Sequence, residues 1–536
     1  MSAWLDPLTL PLLLAAPLLG ALFVWMMPSS DRVTLRHVGF GAMLLNIAVA
    51  LRAGHLLLTQ SSDLVPLVAE QVLFFRWPLQ LELTQLPWLV AMQIVFPISL
   101  RAGASRIAER MQSYVAFMLL AQACINGALL SAHPISAWAL MALSTFPVGY
   151  VLGAFGGNRK RSSALTFVVL HGVFDAGSLL ALAYMLAQVD SPAQLAAYAR
   201  SLDDTTAVLL FVPLAASGLA RALIAPLSSS SRAVCDQAPV SVAGIVFGAL
   251  PLMGLSFVVD HAVFLLPQAV LVVHPVVLGA AGASIVLGGF GALVDRDLRR
   301  YALGVCRFGF AVCAVGALSL HPDAMALSAS ASSLLAVCVV AYLVVIDSIE
   351  RRYVTRDGTE LVGMAEQLPG LWRLQLVTTL ALLGLPVVGA GVFWLDLLPL
   401  LGHSVLPQTT GLPANLSMLV PLLTCFAFVL VTSGATRHIR RTSTFPLRAT
   451  AALPSGLTPG QAMRLWLPLA GALVLHLLLW QHGARVASQW RVQLSTAQEQ
   501  AHDTAAVRKW RKHMPMAPAE ATASSSPTDG NAGGTS

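Results

Sequence analysis

The stretch SALTFVVLHGVFDAGSLLALAYMLA, residues 163–187, contains no Lys or Arg and a single acidic side chain, Asp175. A helix needs about 20 predominantly apolar residues to cross the roughly 30 Å hydrocarbon core of a bilayer. This stretch exceeds that length, so it reads as a membrane-spanning helix. Its imidazole and its carboxylate, His171 and Asp175, are four residues apart and fall on one helix face.

Working outward, the same reading applies along most of the chain. The expected spans are 8–28, 35–51, 83–100, 113–130, 135–155, 163–187, 206–226, 239–259, 275–294, 301–319, 324–347, 373–392, 415–433 and 464–482, with 393–401 as a possible second half-helix after the twelfth. The apolar stretch 262–273 is short for a span and reads as interfacial. The composition agrees: 57% of the 536 residues are hydrophobic and 11% charged, against about 25% charged in soluble domains. A soluble enzyme, a disulfide scaffold and a disordered protein are excluded. The fold class expected is an all-α polytopic membrane protein of about fourteen transmembrane helices.

Charge gives the orientation. The odd-numbered connections hold nineteen basic residues, whereas the even-numbered ones hold only Arg52, Arg76 and Arg200. Basic loops stay in the cytoplasm, so the N-terminus is placed outside and read as a first span, not a cleaved leader. The net charge of +7 is thus a topology signal, and no nucleic-acid partner is expected. The tail from 483 departs from the pattern, because it is basic on the side the count calls outside; its last stretch, about 515–536, reads as disordered. Val486, Trp490 and Val492 to Leu494 suggest a helix with a short apolar face, either lying on lipid headgroups or part of a solvated extension.

The six cysteines are scattered and form no C-x-x-C pair, and no phosphate loop, dinucleotide fingerprint or nucleophile triad occurs. No cofactor or metal is expected. The chemistry inside the spans is confined to a few charges: His171 and Asp175, Arg221 in GLARALIAPL, Arg307 in GVCRFGF and Asp396 in GVFWLDLLPLLG. A charge at the bilayer centre costs at least about 2.5–3.5 kcal/mol, so each needs a reason. These five are the candidate proton-pathway residues. The competing readings are that His171 and Asp175 satisfy each other or a backbone carbonyl in the core, that Arg307 snorkels to the cytoplasmic face, and that Asp396 lies wet at the outer end. Pro226, and Gly384-Leu385-Pro386 followed by Gly389 and Gly391, are expected to interrupt their helices.

Several short motifs, in order, give the chain a family likeness. They are AWALM at 137–141, AGSLL at 176–180, QAPVSVAGIVFG at 237–248, DRDLRR at 295–300, TRD at 355–357 and LGLP at 383–386. On these the chain resembles the antiporter-like membrane subunit superfamily of respiratory complex I, most of all chain M of bacterial NADH–quinone oxidoreductase, over most of 1–482. The resemblance implies two inverted repeats with broken helices: N-terminal helices over 1–100, repeats over 101–260 and 261–435, a loop and last helix over 436–482, and a tail over 483–536. It implies a membrane subunit of a complex I-like NADH–quinone oxidoreductase in a bacterial inner membrane, taking part in proton translocation, partnered by other membrane subunits and lipid, and binding no NADH itself. A membrane subunit of a two-component inorganic-carbon transporter with a zinc-bearing soluble partner, and a non-conducting scaffold subunit, are also compatible.

The chain departs from the family's relay. Where the resemblance implies a span-five Glu, this chain has Ala139; Arg221 falls on the span-seven Lys, Leu252 on the span-eight Lys and Arg307 on a His. Asp396 stands near the span-twelve Glu, and the acidic loop residues before APVS are replaced by SSSSRAVCDQ. A Lys pKa can move with a neighbouring carboxylate, whereas a guanidinium stays charged at any accessible pH. Absence of the usual relay is therefore expected. The charge asymmetry has its own test: a cysteine at position 160 should react with an impermeant maleimide only from the cytoplasmic side, and one in 189–205 only from outside.

Overall fold

The structure is a computed structural model that describes residues 8–59, 66–72, 75–107, 109–190, 194–384, 391–400, 419–443 and 459–500. The chain opens with helices α1 (Thr9–Met26) and α2 (Arg32–Thr59). A two-stranded antiparallel hairpin follows, β1 (Leu67–Val72) and β2 (Phe75–Leu81). Then come α3 (Leu86–Ala104), α4 (Met111–Leu130), α5 (Pro134–Phe155), α6 (Lys160–Leu186), the short α7 (Leu195–Ser201), α8 (Asp204–Arg221), the short α9 (Ser231–Gln237) and α10 (Val240–Val263). The remainder is α11 (Pro267–Val294), α12 (Leu298–Ala317), α13 (Pro322–Tyr353), the one-turn α14 (Met364–Gln367), α15 (Pro369–Leu382), α16 (Gly391–Leu400), α17 (Leu419–Ser443) and α18 (Pro459–Gln500).

This is a polytopic helical membrane protein. Exposed large apolar residues such as Phe23, Leu165, Val173, Leu180, Val276 and Val429 lie on the outer helices, where a bilayer is their solvent. The centre is α10, whose apolar window is 100% buried, with α12 and α13 beside it. Both α8 and α11 pack on this centre.

Eleven helices are long and apolar enough to span, or twelve if the bent pair Trp466–Leu479 and Gln481–Val492 within α18 is one span, against the fourteen expected. The difference has physical causes. Helix α8 has 18 residues with Asp204 and Arg221 at its two ends. Helix α15 has 14 residues, about 21 Å at 1.5 Å per residue, and so is too short by itself. It ends at Leu382: Gly384 adopts φ 89°, a left-handed conformation suited to glycine, and the next described helix begins at Gly391. The other members of that expected break, Leu385, Pro386 and Gly389, lie outside the described residues. Two further differences are local. The stretch 267–273 is not interfacial but forms the first turns of α11, and the connection between α2 and α3 holds the hairpin.

The tail does not lie on headgroups over its described part. Helix α18 continues to Gln500, and Val486, Trp490 and Leu494 are buried. Trp490 stacks on Phe264 at 5.5 Å, Arg491 meets Asp323 at 2.9 Å, and Arg485 donates to the Leu58 carbonyl at 3.0 Å.

One constraint organises the first four helices. Pro17 inside α1 has no N–H, so the Leu13 carbonyl one turn earlier has no helical donor. Asn126 Nδ2 donates to that carbonyl at 3.0 Å and Asn46 Nδ2 at 3.3 Å. Asn126 Oδ1 accepts from Gln93, whose own Oε1 accepts from Gln122, both at 2.8 Å. All four amides are buried. Asn126→Leu is expected to lower stability in detergent by about 1–2 kcal/mol, and Asn46→Leu by less because its bond is longer; thermal unfolding measures both.

Candidate functional site

The site lies where α5, α6 and α8 meet. Asp203 caps α8 by accepting from the Thr206 N–H at 3.1 Å, and the helix runs inward until Arg221, its last residue. Ser217 sits one turn earlier on the same face. Facing it, α6 presents Asp175. The guanidinium of Arg221 grips Asp175 through both nitrogens: Nη1 to Oδ1 and Nη2 to Oδ2, each at 2.8 Å. Ser217 Oγ donates to the same Oδ1 at 2.6 Å. Nη2 also donates to Thr145 Oγ1 of α5 at 3.0 Å, and Nη1 to the Ser217 carbonyl at 3.1 Å. Arg221 is 1% exposed and Asp175 5%.

Of the two core readings, mutual pairing within α6 does not occur, whereas a backbone carbonyl does partner His171. Asp175 is held across the bundle by Arg221, not by His171. His171 Nδ1 bonds the Phe167 carbonyl at 2.8 Å, and its ring tilts against Phe167. The two side chains do share a face, one turn apart. Neighbouring contacts fix the helices in register: Trp138 Nε1 donates to the Asp175 carbonyl at 2.8 Å and Ser178 Oγ to the Pro213 carbonyl at 2.8 Å. Trp138 belongs to AWALM and Ser178 to AGSLL, so both motifs act here as helix–helix contacts.

On its inner side the site is closed by backbone. A Cβ on Gly254 of α10 would sit 2.3 Å from the Gly218 carbonyl oxygen and 2.9 Å from Arg221 Cβ; one on Gly218 would sit 2.5 Å from the Gly254 carbonyl oxygen. Two glycines thus let α8 and α10 touch. Leu252, near this contact, is fully buried.

The other candidates lie apart from the pair. Arg307 Nη2 donates to Ser231 Oγ at 2.6 Å and the Ser228 carbonyl at 3.4 Å, so it reaches toward the connection between α8 and α9. Asp396 is exposed on α16, whose Trp394 lies 5.6 Å from Phe308. No ion pair or hydrogen bond links Arg307 or Asp396 to Asp175 or Arg221 among the described residues.

Two polar features escaped the sequence reading. Gln85 bridges Glu82 and Asp260 at the outer end: its Oε1 accepts from the Glu82 N–H at 3.2 Å and its Nε2 donates to Asp260 Oδ2 at 2.9 Å, which also accepts from Ser256 Oγ. Burial pushes the Glu82 carboxyl above its ordinary range. His274 in α11 is buried, and neither ring nitrogen has a partner among the described residues. Asp260 and His274 fall one residue outside the expected spans 239–259 and 275–294.

At the end of the bundle expected to face the cytoplasm, the DRDLRR and TRD motifs clasp each other. Asp297 and Asp357 form an isolated antiparallel bridge, and Arg356 meets Asp297 at 2.7 Å. Arg300 holds Asp236 at 2.8 Å, and buried Asp347 meets Arg106 at 2.6 Å. Among the described residues no group of three or more His, Cys, Asp or Glu is placed to hold a metal ion.

A multi-pass helical bundle with a buried, bidentate Asp–Arg pair between α6 and α8 is thus the class that the fold and site define. The fold is shared by solved membrane complexes. A chain of respiratory complex I from Thermus thermophilus aligns with TM-score 0.76 and 16% identity, covering 91% of this chain and 99% of that one. A chain of the membrane-bound sulfane sulfur reductase, an archaeal respiratory complex, aligns with TM-score 0.75 and 15% identity over 93% and 99%. A chain of the Mrp complex from Dietzia sp. aligns with TM-score 0.72 and 16% identity over 95% and 99%. No protein-family model and no curated protein matches the sequence. The expected likeness in fold to a chain of respiratory complex I is borne out.

Removing one partner of a buried pair leaves an uncompensated charge, which costs about 3–5 kcal/mol. Arg221→Met should therefore destabilise the protein by that amount, whereas Asp175→Leu with Arg221→Met should recover most of the loss. Thermal unfolding of the three proteins in one detergent checks this.

Proposed function

We propose that this chain is a membrane subunit of a multisubunit ion-translocating assembly, and that its central charge pair is a fixed structural element instead of a proton carrier. The observation that carries the reading is the bidentate Arg221–Asp175 contact. Proton transfer along a charged axis needs a group that gains and loses its charge. A guanidinium does not lose it, and it holds a carboxylate with two parallel bonds that a lysine ammonium cannot reproduce. Ser217 adds a third donor to the same carboxylate. Gly218 against Gly254 leaves backbone on the α10 side of Arg221.

Within that class we read the chain as a subunit of a complex I-like NADH–quinone oxidoreductase of a bacterial inner membrane, with the repeats over 101–260 and 261–435. It binds no NADH. Its part is to hold the membrane arm together and pass on strain, with translocation carried by neighbouring subunits. One feature favours a conducting reading: His171 stands one turn from Asp175 and is a titratable group. In that case His171 and Asp175 exchange a proton when the Arg221 contact opens.

Two measurements separate the readings. Purification in mild detergent should retain at least one other membrane subunit. Vesicles containing the purified chain alone should show proton flux no greater than protein-free vesicles, and Asp175→Asn and His171→Asn should leave it there. Flux in the wild type that both substitutions abolish would overturn the fixed-pair reading.

A further inference from the structure

Between α2, α3, α13 and α18 the outer surface opens into a groove of ≈ 800 Å³, separate from the Asp175–Arg221 site. Its walls are apolar over most of their length, with Leu44 and Ile47 from α2, Ile94 and Pro97 from α3, and Leu467 and Val474 from α18. At one end stand Arg101, Ser105, Arg351 and Arg352. Arg101 lies in the last turn of α3, and Arg351 and Arg352 in the last turn of α13. Both helices end on the face that the basic connections assign to the cytoplasm.

The groove has the depth of one leaflet. Its α3 wall extends from Arg101 back to Val90, about 16 Å at 1.5 Å per residue, or roughly half of a 30 Å hydrocarbon core. A transmembrane helix of another subunit would need a seam through the whole thickness. An acyl chain needs one leaflet only.

The charged end has a definite sign. Three arginines line it against one carboxylate, Asp347, which Arg351 itself holds one turn away and which also meets Arg106 at 2.6 Å and Arg299 at 3.9 Å, so the arginines outnumber the carboxylate they share. The Arg101 guanidinium lies 5.4 Å from the Phe40 ring centroid, which keeps it at the mouth of the groove. Positive charge at the cytoplasmic headgroup level, above an apolar slot, complements an anionic lipid.

We propose that this groove binds a single anionic phospholipid of the cytoplasmic leaflet, its acyl chains along α2, α3 and α18 and its phosphate at Arg101, Arg351 and Arg352. The site is independent of whether the chain conducts protons.

The test uses the chain purified in mild detergent with whatever subunits it retains. Phosphatidylglycerol and phosphatidylcholine are titrated in and bound lipid is read by native mass spectrometry. The wild type should prefer phosphatidylglycerol. Arg101→Gln with Arg352→Gln should weaken phosphatidylglycerol about fivefold per arginine, on the order of 1 kcal/mol each, and leave phosphatidylcholine unchanged. Ala470→Trp, which fills the groove from α18, should weaken both lipids while the unfolding temperature stays near that of the wild type. Three results would overturn the proposal: no preference in the wild type, a preference that survives loss of both arginines, or a co-purified subunit that crosslinks to a cysteine at position 470.

Discussion

Asp175 and Arg221 each satisfy the other's charge in a place where neither can be hydrated, and the packing around them follows from that need. The guanidinium uses both terminal nitrogens on one carboxylate, so α6 and α8 are fixed in rotation as well as in distance. Thr145 and Met141 of α5 take the remaining reach of Nη2. Because Arg221 is the last residue of α8, the helix can end there without moving the charge. On the other side, glycines on α8 and α10 bring two backbones into contact beside the pair. A larger residue at either glycine would push α10 away and open the site to solvent.

The family resemblance implies a carboxylate on α5, where this chain has Ala139. The carboxylate that meets Arg221 instead comes from α6, one helix later, and the neighbouring Trp138 donates to the backbone of that very residue. In this chain the acid is on α6 and its base on α8. A lysine and a glutamate can trade a proton through intervening water, whereas a forked guanidinium–carboxylate contact keeps both charges in place.

Much of the bundle was legible because a bilayer imposes a length and forbids most charges. Stretches such as 113–130 and 135–155 announce themselves, and α4 and α5 fall within a few residues of them. What stayed hidden concerned partners. The i, i+4 rule sees one helix at a time, so it paired Asp175 with His171 and missed a partner 46 positions away. Asp260 and His274 lie just beyond the ends of the expected spans, so a search for charges inside spans passes over them, although both fall within helices α10 and α11. The hairpin over 67–81 escaped because its strands are short, and Glu70 and Arg76 interrupt its apolar pattern. The amide chain from Leu13 to Gln122 was invisible for a related reason: Asn and Gln carry no charge, so nothing in hydropathy marks them as a cluster.

The clasp at the end of α18 bears on how the protein is made. Arg485 reaches the carbonyl of Leu58 at the end of α2, and Trp490 covers Phe264 after α10. Hundreds of residues separate these partners along the chain. Translation delivers α2 into the membrane long before α18 leaves the ribosome. In the interval the outer ends of α2 and α10 lack this cover. Maturation of the outer rim is therefore a late, long-range event, and a nascent chain stalled before α18 would present those uncovered ends to chaperones and membrane proteases.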